Sequence, residues 1–326
     1  MGIKNLSVIL KKYAPESISS ININNLEGKT VAIDANLFIY RSIFAIRRGM
    51  GKDIKNTING KLFKVTHIYI MFIRLFGFIK MNIKPVFVFD SSYSYLKEKT
   101  IKVRKEIRKE IKRKYDNAET SKEKQKYYHI SEDITHDEYD DIIELITLFG
   151  FPYIISPEEA DSQCAYLIQK KLVDFVVSDD MDLLLFGCDK VIRKFTISHN
   201  KKMELITLSK IIKGLHISMD SLIQLGILLG SDYAETVKGV GRIKAYEIIT
   251  EYKSIENAKL NNKIPVDYEY IDAFNYFKKG KYDQIVLKDI KQTKININKL
   301  KKFILDNGFK DSKTINEYLN KLKKYT

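Results

Sequence analysis

Residues 152–187 read PYIISPEEADSQCAYLIQKKLVDFVVSDDMDLLLFG, and this stretch decides the fold. PYIIS is a short apolar strand that runs straight into Glu158, Glu159 and Asp161. A helical pattern follows, and a second strand, FVVS, runs into Asp179, Asp180 and Asp182. Strands of a βαβ unit are parallel, so both ends and their carboxylates fall on the same sheet edge. Ligands of open α/β sheets bind at that edge. Carboxylates gathered so densely repel one another unless a cation neutralises them. Divalent metal suits the donor set, because Mg²⁺ and Mn²⁺ prefer oxygen ligands.

The chain on the amino-terminal side repeats the pattern. Residues 2–14 read as a short amphipathic helix ended by Pro15. TVAI is a buried strand ended by Asp34, and residues 36–47 continue as a helix. Residues 49–61 are polar and contain glycine, which predicts a loop, and 62–81 read as an apolar helix. PVFVF (85–89) is another strand, ended by Asp90. One acid at a strand end is ordinarily a solvated loop residue. Its recurrence at the equivalent place on several strands makes a shared site the better explanation.

Residues 91–135 change character. Between Lys97 and Lys114 stand ten Lys/Arg and three Glu, and Leu96, Val103, Ile107 and Ile111 leave only a narrow apolar stripe. Such a run is ordinarily a solvated helix. Inserted directly after a strand-end acid, its basic face is placed to overhang the acids and grip a phosphate. Lys97 and Arg104 lie seven residues apart and share a face.

Past the opening stretch, 191–206 predict a strand or hairpin, and ITLSKI starts a helix with Ser209 as its cap. An apolar helix over 221–229 leads to GSDY and then VKGVGRIKAYEIITEY. The GVG turn between two helical segments is a helix–hairpin–helix type element. Its glycines, Gly239 and Gly241, let backbone N–H groups approach a phosphate, and the next helix offers its positive end. The motif alone is weak, but Lys238, Arg242 and Lys244 flank it. Residues 256–326 are polar, lysine-rich and helical in pattern. The expected division is 1–90 and 136–215 as a nuclease-like α/β core, 91–135 as a basic helical arch, and 216–326 as the helix–hairpin–helix region with terminal helices.

Composition narrows the function classes. The 326 residues are 44% hydrophobic, enough for a sizeable core. Lys+Arg 56 against Asp+Glu 41 leaves +15, which favours a polyanionic partner, nucleic acid before a membrane surface. The abundance of Lys, Ile and Asn also suits an AT-rich genome, of a large DNA virus or a compact parasite, so charge alone carries modest weight. Cys164 and Cys188 are too few for a disulfide framework or a zinc site, and the five histidines are scattered. No Ser/His or Cys/His nucleophile pairing is apparent. No secretory core and no spanning apolar run is visible, so a soluble intracellular protein is expected.

Taken together, MGI at the start, VAIDANLFIYRSIFAIRRG, KPVFVFD, PEEADSQCAYL, DDMDLLLFG and LLGSDYAETVKGVGRIKA resemble the flap endonuclease/XPG group of structure-specific 5′ nucleases. The resemblance covers essentially the whole chain, most clearly to about residue 260. It implies a mostly parallel sheet flanked by helices, of the PIN-like 5′-nuclease type. It implies Asp34, Asp90, Glu159 and Asp161 around a first metal, and Asp180, Asp182 and Asp232 around a second. It implies Lys97 and Arg104 as the pair gripping the scissile phosphate, helped by Arg47 and Arg108, with Tyr40 stacking on the adjacent base. Gly2 would pack close to the site beside an unblocked N-terminus. Gly239 and Gly241, with Lys238, Arg242 and Lys244, would hold duplex backbone, in the family with a K⁺ ion. Asp161 stands where the family has Glu, and Ser91 where it has Gly. Residues 52–61 are basic where relatives carry an acidic block.

The expected activity is a Mg²⁺-dependent 5′ flap endonuclease and 5′→3′ exonuclease in replication, repair or recombination. Two Mg²⁺ ions, or Mn²⁺ in their place, activate a water and stabilise the leaving oxygen. The partner is branched, flapped or nicked double-stranded DNA, handled by a monomer without a membrane, in the nucleus or in the cytoplasm of a cell hosting a cytoplasmic virus. No clamp-binding tail is visible. The rivals are a junction- or bubble-cutting relative and a catalytically silent DNA-binding scaffold. A small-molecule phosphotransfer enzyme would leave the arch and the GVG turn without a purpose. On a helix, Glu159 and Asp161 would diverge in direction, so both reach a metal only if the helix N-terminus points at the site.

Overall fold

The computed structural model describes residues 2–325 apart from Lys4, Asn59, Tyr93, Glu132 and Asp311, and describes 129–131 by backbone only. Chain order runs α1 (Leu6–Tyr13), β1 (Ile18–Ile21), β2 (Thr30–Asp34), α2 (Ala35–Met50), β3 (Lys55–Ile58) and β4 (Lys61–Lys64). Then come α3 (Thr66–Lys80), β5 (Lys84–Phe89), α4 (Glu98–Asp116), α5 (Ser121–Ser131), α6 (His136–Leu148), β6 (Tyr153–Ile155), α7 (Ala160–Gln169) and β7 (Phe175–Val177). They are followed by α8 (Asp182–Leu185), β8 (Lys190–Arg193), β9 (Met203–Thr207), α9 (Leu208–Leu215) and α10 (Met219–Gly230). The remainder is helical: α11 (Arg242–Tyr252), α12 (Ile255–Leu260), α13 (Ile271–Lys279), α14 (Ile297–Asp306) and α15 (Lys313–Leu322).

Seven strands form one sheet in the order β1-β9-β8-β7-β2-β5-β6, flanked by helices, so the expected α/β architecture is the one adopted. β2, β7 and β8 are parallel, while β8, β9 and β1 pair antiparallel. The strands joined by α7, β6 and β7, are not neighbours. β5 and β2 lie between them, so the strands carrying Asp90 and Asp34 enter the middle of the acidic edge. Ile33 pairs with Val177, which brings Asp34 level with Ser178.

The chain divides into two compact units. The first comprises Met1–Asp34, Val88–Thr100 and Ile155–Ile285, and the second Ala35–Phe87, Ile101–Ile154 and Val286–Thr326. In the first, α7 and α10 are almost wholly buried; α10 is largely apolar, whereas α7 buries Asp161, Ser162 and Gln163 together with its apolar residues. No described helix is long and apolar enough to cross a membrane.

The second unit has an aromatic core in which Phe72 meets Phe149 edge-on at 5.3 Å and Phe78 meets Phe87 at 6.1 Å. Burying each such ring is worth about 1.5–3 kcal/mol. Here the structure corrects one expectation. The loop expected over 49–61 contains β3, which pairs with β4 in a hairpin, Ile58 opposite Lys61, and the following helix begins only at Thr66. Neither strand buries a face, so no alternation of apolar and polar residues marked them. A second correction concerns α9. Thr207 is its N-cap residue, and Ser209 lies inside the first turn with its N–H donating to Asp189 Oδ1 at 3.1 Å.

Candidate active site

Each acid is held by a local device. Asp34 ends β2, and Ser178 Oγ, one step past β7, donates to its Oδ2 at 2.8 Å. Asp90 follows β5 and accepts from the Ala160 N–H at 2.7 Å, at the first residue of α7. Asp180 Oδ1 accepts from the Asp182 N–H at 3.0 Å, while the Asp180 N–H donates to Ser178 Oγ at 3.1 Å. Glu159 resolves the question of diverging directions. It is the N-cap residue of α7 with extended backbone, so it lies outside the helical turn that carries Asp161.

Asp161, Asp180 and Asp182 each offer a carboxylate oxygen within 4.8 Å of one another, a grouping that could hold a metal ion. Asp182 is 0% exposed, and among the described residues neither of its carboxylate oxygens has a hydrogen-bond donor. Buried carboxylates are ordinarily satisfied, so this one fits a cation in a site whose donors are all oxygen. Gly2 lies against the same pair. A Cβ at its position would overlap Asp180 Oδ1 and Asp182 Oδ1, and its φ of +75° suits glycine alone.

Lys97 is only 8% exposed; its ammonium pairs with Glu159 Oε2 and sits 4.6 Å from the centre of the Tyr233 ring. The same Oε2 accepts from the Tyr233 hydroxyl at 2.9 Å. Oε1 accepts from the Tyr276 hydroxyl at 3.3 Å and the Ser94 N–H at 3.4 Å.

The electrostatics reflect crowding in a dry place. Burial, countered by the Ala160 N–H and reinforced by the Glu159 and Asp180 charges, pushes the Asp90 carboxyl up to about 6. Burial, then the charge of Asp180, drives Asp161 and Asp182 well above the usual carboxylate range. Burial alone would depress Lys97, but Glu159, then Asp161 and Asp182, outweigh it and hold the ammonium protonated. Without a further cation the cluster favours protons on some of its carboxyls. A bound metal would remove that need.

The first unit contains Gly2, Asp34, Asp90, Lys97, Glu159, Asp161, Asp180, Asp182, Asp232 and residues 238–244. The charge of Asp232 is among those raising Asp182. Lys238, Gly239, Gly241, Arg242 and Lys244 form an exposed turn before and into α11. Gly239 has a φ of +79°, and nothing stands within 4 Å of a Cβ built there or at Gly241, so a backbone can approach both.

Tyr40, Arg47, Arg104 and Arg108 belong to the second unit. Arg104 is exposed on α4, and Arg108 pairs with Asp133. Tyr40 is half-buried on α2 with its ring 5.6 Å from Phe44, and burial raises its phenol. Arg47 requires a correction. It is 3% exposed, and its Nε donates to Asp53 Oδ1 at 2.8 Å, so it is an internal cation, not a surface arginine presented to DNA. Thr66 Oγ1 and the Tyr128 hydroxyl complete the shell of Asp53 at 2.9 and 2.7 Å. Sequence reasoning missed Ser94, Ser178, Tyr233 and Tyr276. Tyr233 stood beside Asp232 in GSDY and could have been suspected, whereas nothing around Tyr276 pointed to it.

The chain matches the XPG N-terminal domain over residues 1–111 and the XPG I-region over 150–232. It is 34% identical over 328 residues to flap endonuclease 1 of Theileria annulata, covering all of this chain and 64% of that protein. It is 32% identical to flap endonuclease 1 of Lodderomyces elongisporus, over 99% of this chain and 87% of that one. The catalytic core of Rad2 in complex with DNA substrate has the same fold, with a TM-score of 0.74 and 25% identity, covering 98% of this chain and 100% of that one. Two family domains across more than half of the chain, with a relative 32% identical over 87% of its own length, place it: the chain belongs to the XPG family, in its flap-endonuclease group.

Proposed function

We propose that this protein is a structure-specific 5′ nuclease that hydrolyses phosphodiester bonds in flapped, nicked or otherwise branched DNA with the help of two divalent cations. One observation supports the reading: buried carboxylates from several strand ends converge, and the most buried, Asp182, has no hydrogen-bond donor among the described residues. Asp34, Asp90, Glu159 and Asp161 would hold one cation, and Asp180, Asp182 and Asp232 the other. Bound Mg²⁺, or Mn²⁺ in its place, would supply the Lewis acidity that makes water a nucleophile at neutral pH and neutralises the leaving oxygen.

The chain's own groups do the rest. Lys97, held protonated beside Glu159, would pair with the scissile phosphate. Arg104, on the exposed face of α4, would grip the same strand, and Tyr40 would stack on the adjoining base. The exposed turn around Gly239 and Gly241 suits a duplex backbone, with Lys238, Arg242 and Lys244 supplying charge and K⁺ a further bridge. The work would be done where that DNA is replicated or repaired.

Cleavage of 5′ flap, nicked, gapped, four-way and blunt duplexes tests the reading. Flaps should be cut in the presence of Mg²⁺, and Asp180→Ala should abolish cutting while flap binding persists. Undiminished Mg²⁺-dependent cutting by that variant sinks the metal assignment. Faster cutting of four-way DNA than of flaps moves the protein to the junction-cutting relatives.

A further inference from the structure

The carboxyl-terminal end of α13 and the irregular segment after it lie along α7, the helix that presents the acids. Gln163 Nε2 donates to the Asp283 carbonyl at 3.1 Å, and the Asp283 N–H returns a bond to Gln163 Oε1 at 2.7 Å. The Tyr166 hydroxyl donates to the Ile285 carbonyl at 3.4 Å, and its ring stacks on Tyr282 at 4.6 Å. Lys281 pairs with Glu158, and its carbonyl accepts from Ser162 Oγ. Gly280, with φ +60°, permits the reversal out of α13; a Cβ there would come within 3.3 Å of Ser162 Cβ. Backbone bonds to Ser162, Gln163 and Tyr166, side chains on little more than one turn of the same helix, make this segment a strap.

At its start the strap reaches the site. The Tyr276 hydroxyl donates to Glu159 Oε1 at 3.3 Å, with its ring wedged against Tyr233 at 4.9 Å and Phe186 at 5.6 Å. Burial, then the Glu159 charge, raises this phenol, so it is a permanent donor. Ser94 and Lys97 reach Glu159 from the arch base and Tyr233 from the GSDY turn. Among these described donors Tyr276 comes from furthest along the chain, 117 residues away, carried by a separately docked segment.

We propose that segment 276–285 positions the Glu159 carboxylate, with Tyr276 as the positioning residue that fixes which oxygen faces Lys97 and which faces the strap. Glu159 has rotatable bonds to spare as an N-cap outside the helix, and the Tyr276 donor on Oε1, beside the Ser94 N–H, keeps Oε2 toward Lys97 and Tyr233. The proposal rests on the nuclease reading for the use made of Glu159, but its test does not.

Mn²⁺ binding to the full chain without DNA, followed by electron paramagnetic resonance of the free ion, reads the effect directly. Tyr276→Phe keeps the ring and removes the donor, and should weaken Mn²⁺ binding roughly tenfold, as loss of an outer-shell partner typically does. Tyr166→Phe removes a strap contact that does not touch a carboxylate and should leave the affinity within about twofold of the parent. An unchanged affinity in Tyr276→Phe overturns the proposal, and so does an equal loss in Tyr166→Phe, which would assign the effect to docking in general. A parent protein that binds Mn²⁺ yet cuts no DNA sinks the nuclease reading and leaves this one standing.

Discussion

The Tyr233 hydroxyl donates to Glu159 Oε2 at 2.9 Å, the same oxygen that holds the Lys97 ammonium lying over the Tyr233 ring. Base of the arch, acid of α7 and the GSDY turn thus meet at one atom. The position of Lys97 is therefore fixed by contacts within the protein itself.

Lys97→Ala should reduce turnover by about 100-fold or more, since a charge preorganised for the transition state is lost. Binding of a flap substrate should weaken only modestly. Single-turnover cleavage and equilibrium binding measured together decide this. An equal fall in affinity and rate would mean a plain anchor.

Asp182 is buried with no donor among the described residues, so in the metal-free protein its charge opposes folding. Asp182→Asn should abolish cleavage yet raise the melting temperature in EDTA by about 2 °C. Excess Mg²⁺ should stabilise the parent and not the variant. A variant that melts lower than the parent in EDTA contradicts this account of the site.

Gly2→Ala puts a methyl group into Asp180 and Asp182. Divalent-ion affinity should fall by roughly 10–100-fold, the range seen when groups around metal ligands are displaced. Titration with Mn²⁺ without DNA is the check, and parent-like affinity would refute the close approach.

The Asp90 carboxyl titrates near 6 when folded, above its unfolded value, because burial and neighbouring charge disfavour ionisation. Between the unfolded pKa of about 4 and about 6 the folded protein binds the extra proton, so this group's contribution falls as pH rises through that window. In EDTA the melting temperature of Asp90→Asn relative to the parent should climb between pH 4 and pH 6.5. A constant difference across that range would show that Asp90 is not perturbed. Metal affinity of the parent should rise over the same window, as protons cease to compete.

Arg47 and Asp53 form a buried pair, and Asp53 stays below the usual carboxylate range although burial opposes this, because Arg47, Tyr128 and Thr66 all donate to it. Asp53→Ala removes the carboxylate that pairs with buried Arg47, and should cost about 3–5 kcal/mol. Chemical denaturation measures it. A loss below about 1 kcal/mol, the range of a surface pair, would contradict the buried pairing.

The strand-end acids were legible because β2, β5 and β7 are short, apolar and interrupted by charge at a fixed place. The β3–β4 hairpin was not, since its residues bury no face. Arg47 misled for a related reason: an arginine in RRG reads the same whether it meets solvent or Asp53, and only packing separates the two. Tyr276 carried no local mark at all.

Sequence by itself determined the acidic edge, the basic stretch after Asp90 and the family, because period, charge and motif order are local properties of the chain. Tertiary structure alone decided how Glu159 is shared. Its donors come from Ser94, Lys97, Tyr233 and Tyr276. Their common point exists only once β5, α7, the GSDY turn and α13 have packed. Hydrogen-bond partners so far apart in the chain are chosen by the geometry of the core, and no spacing along the sequence encodes them.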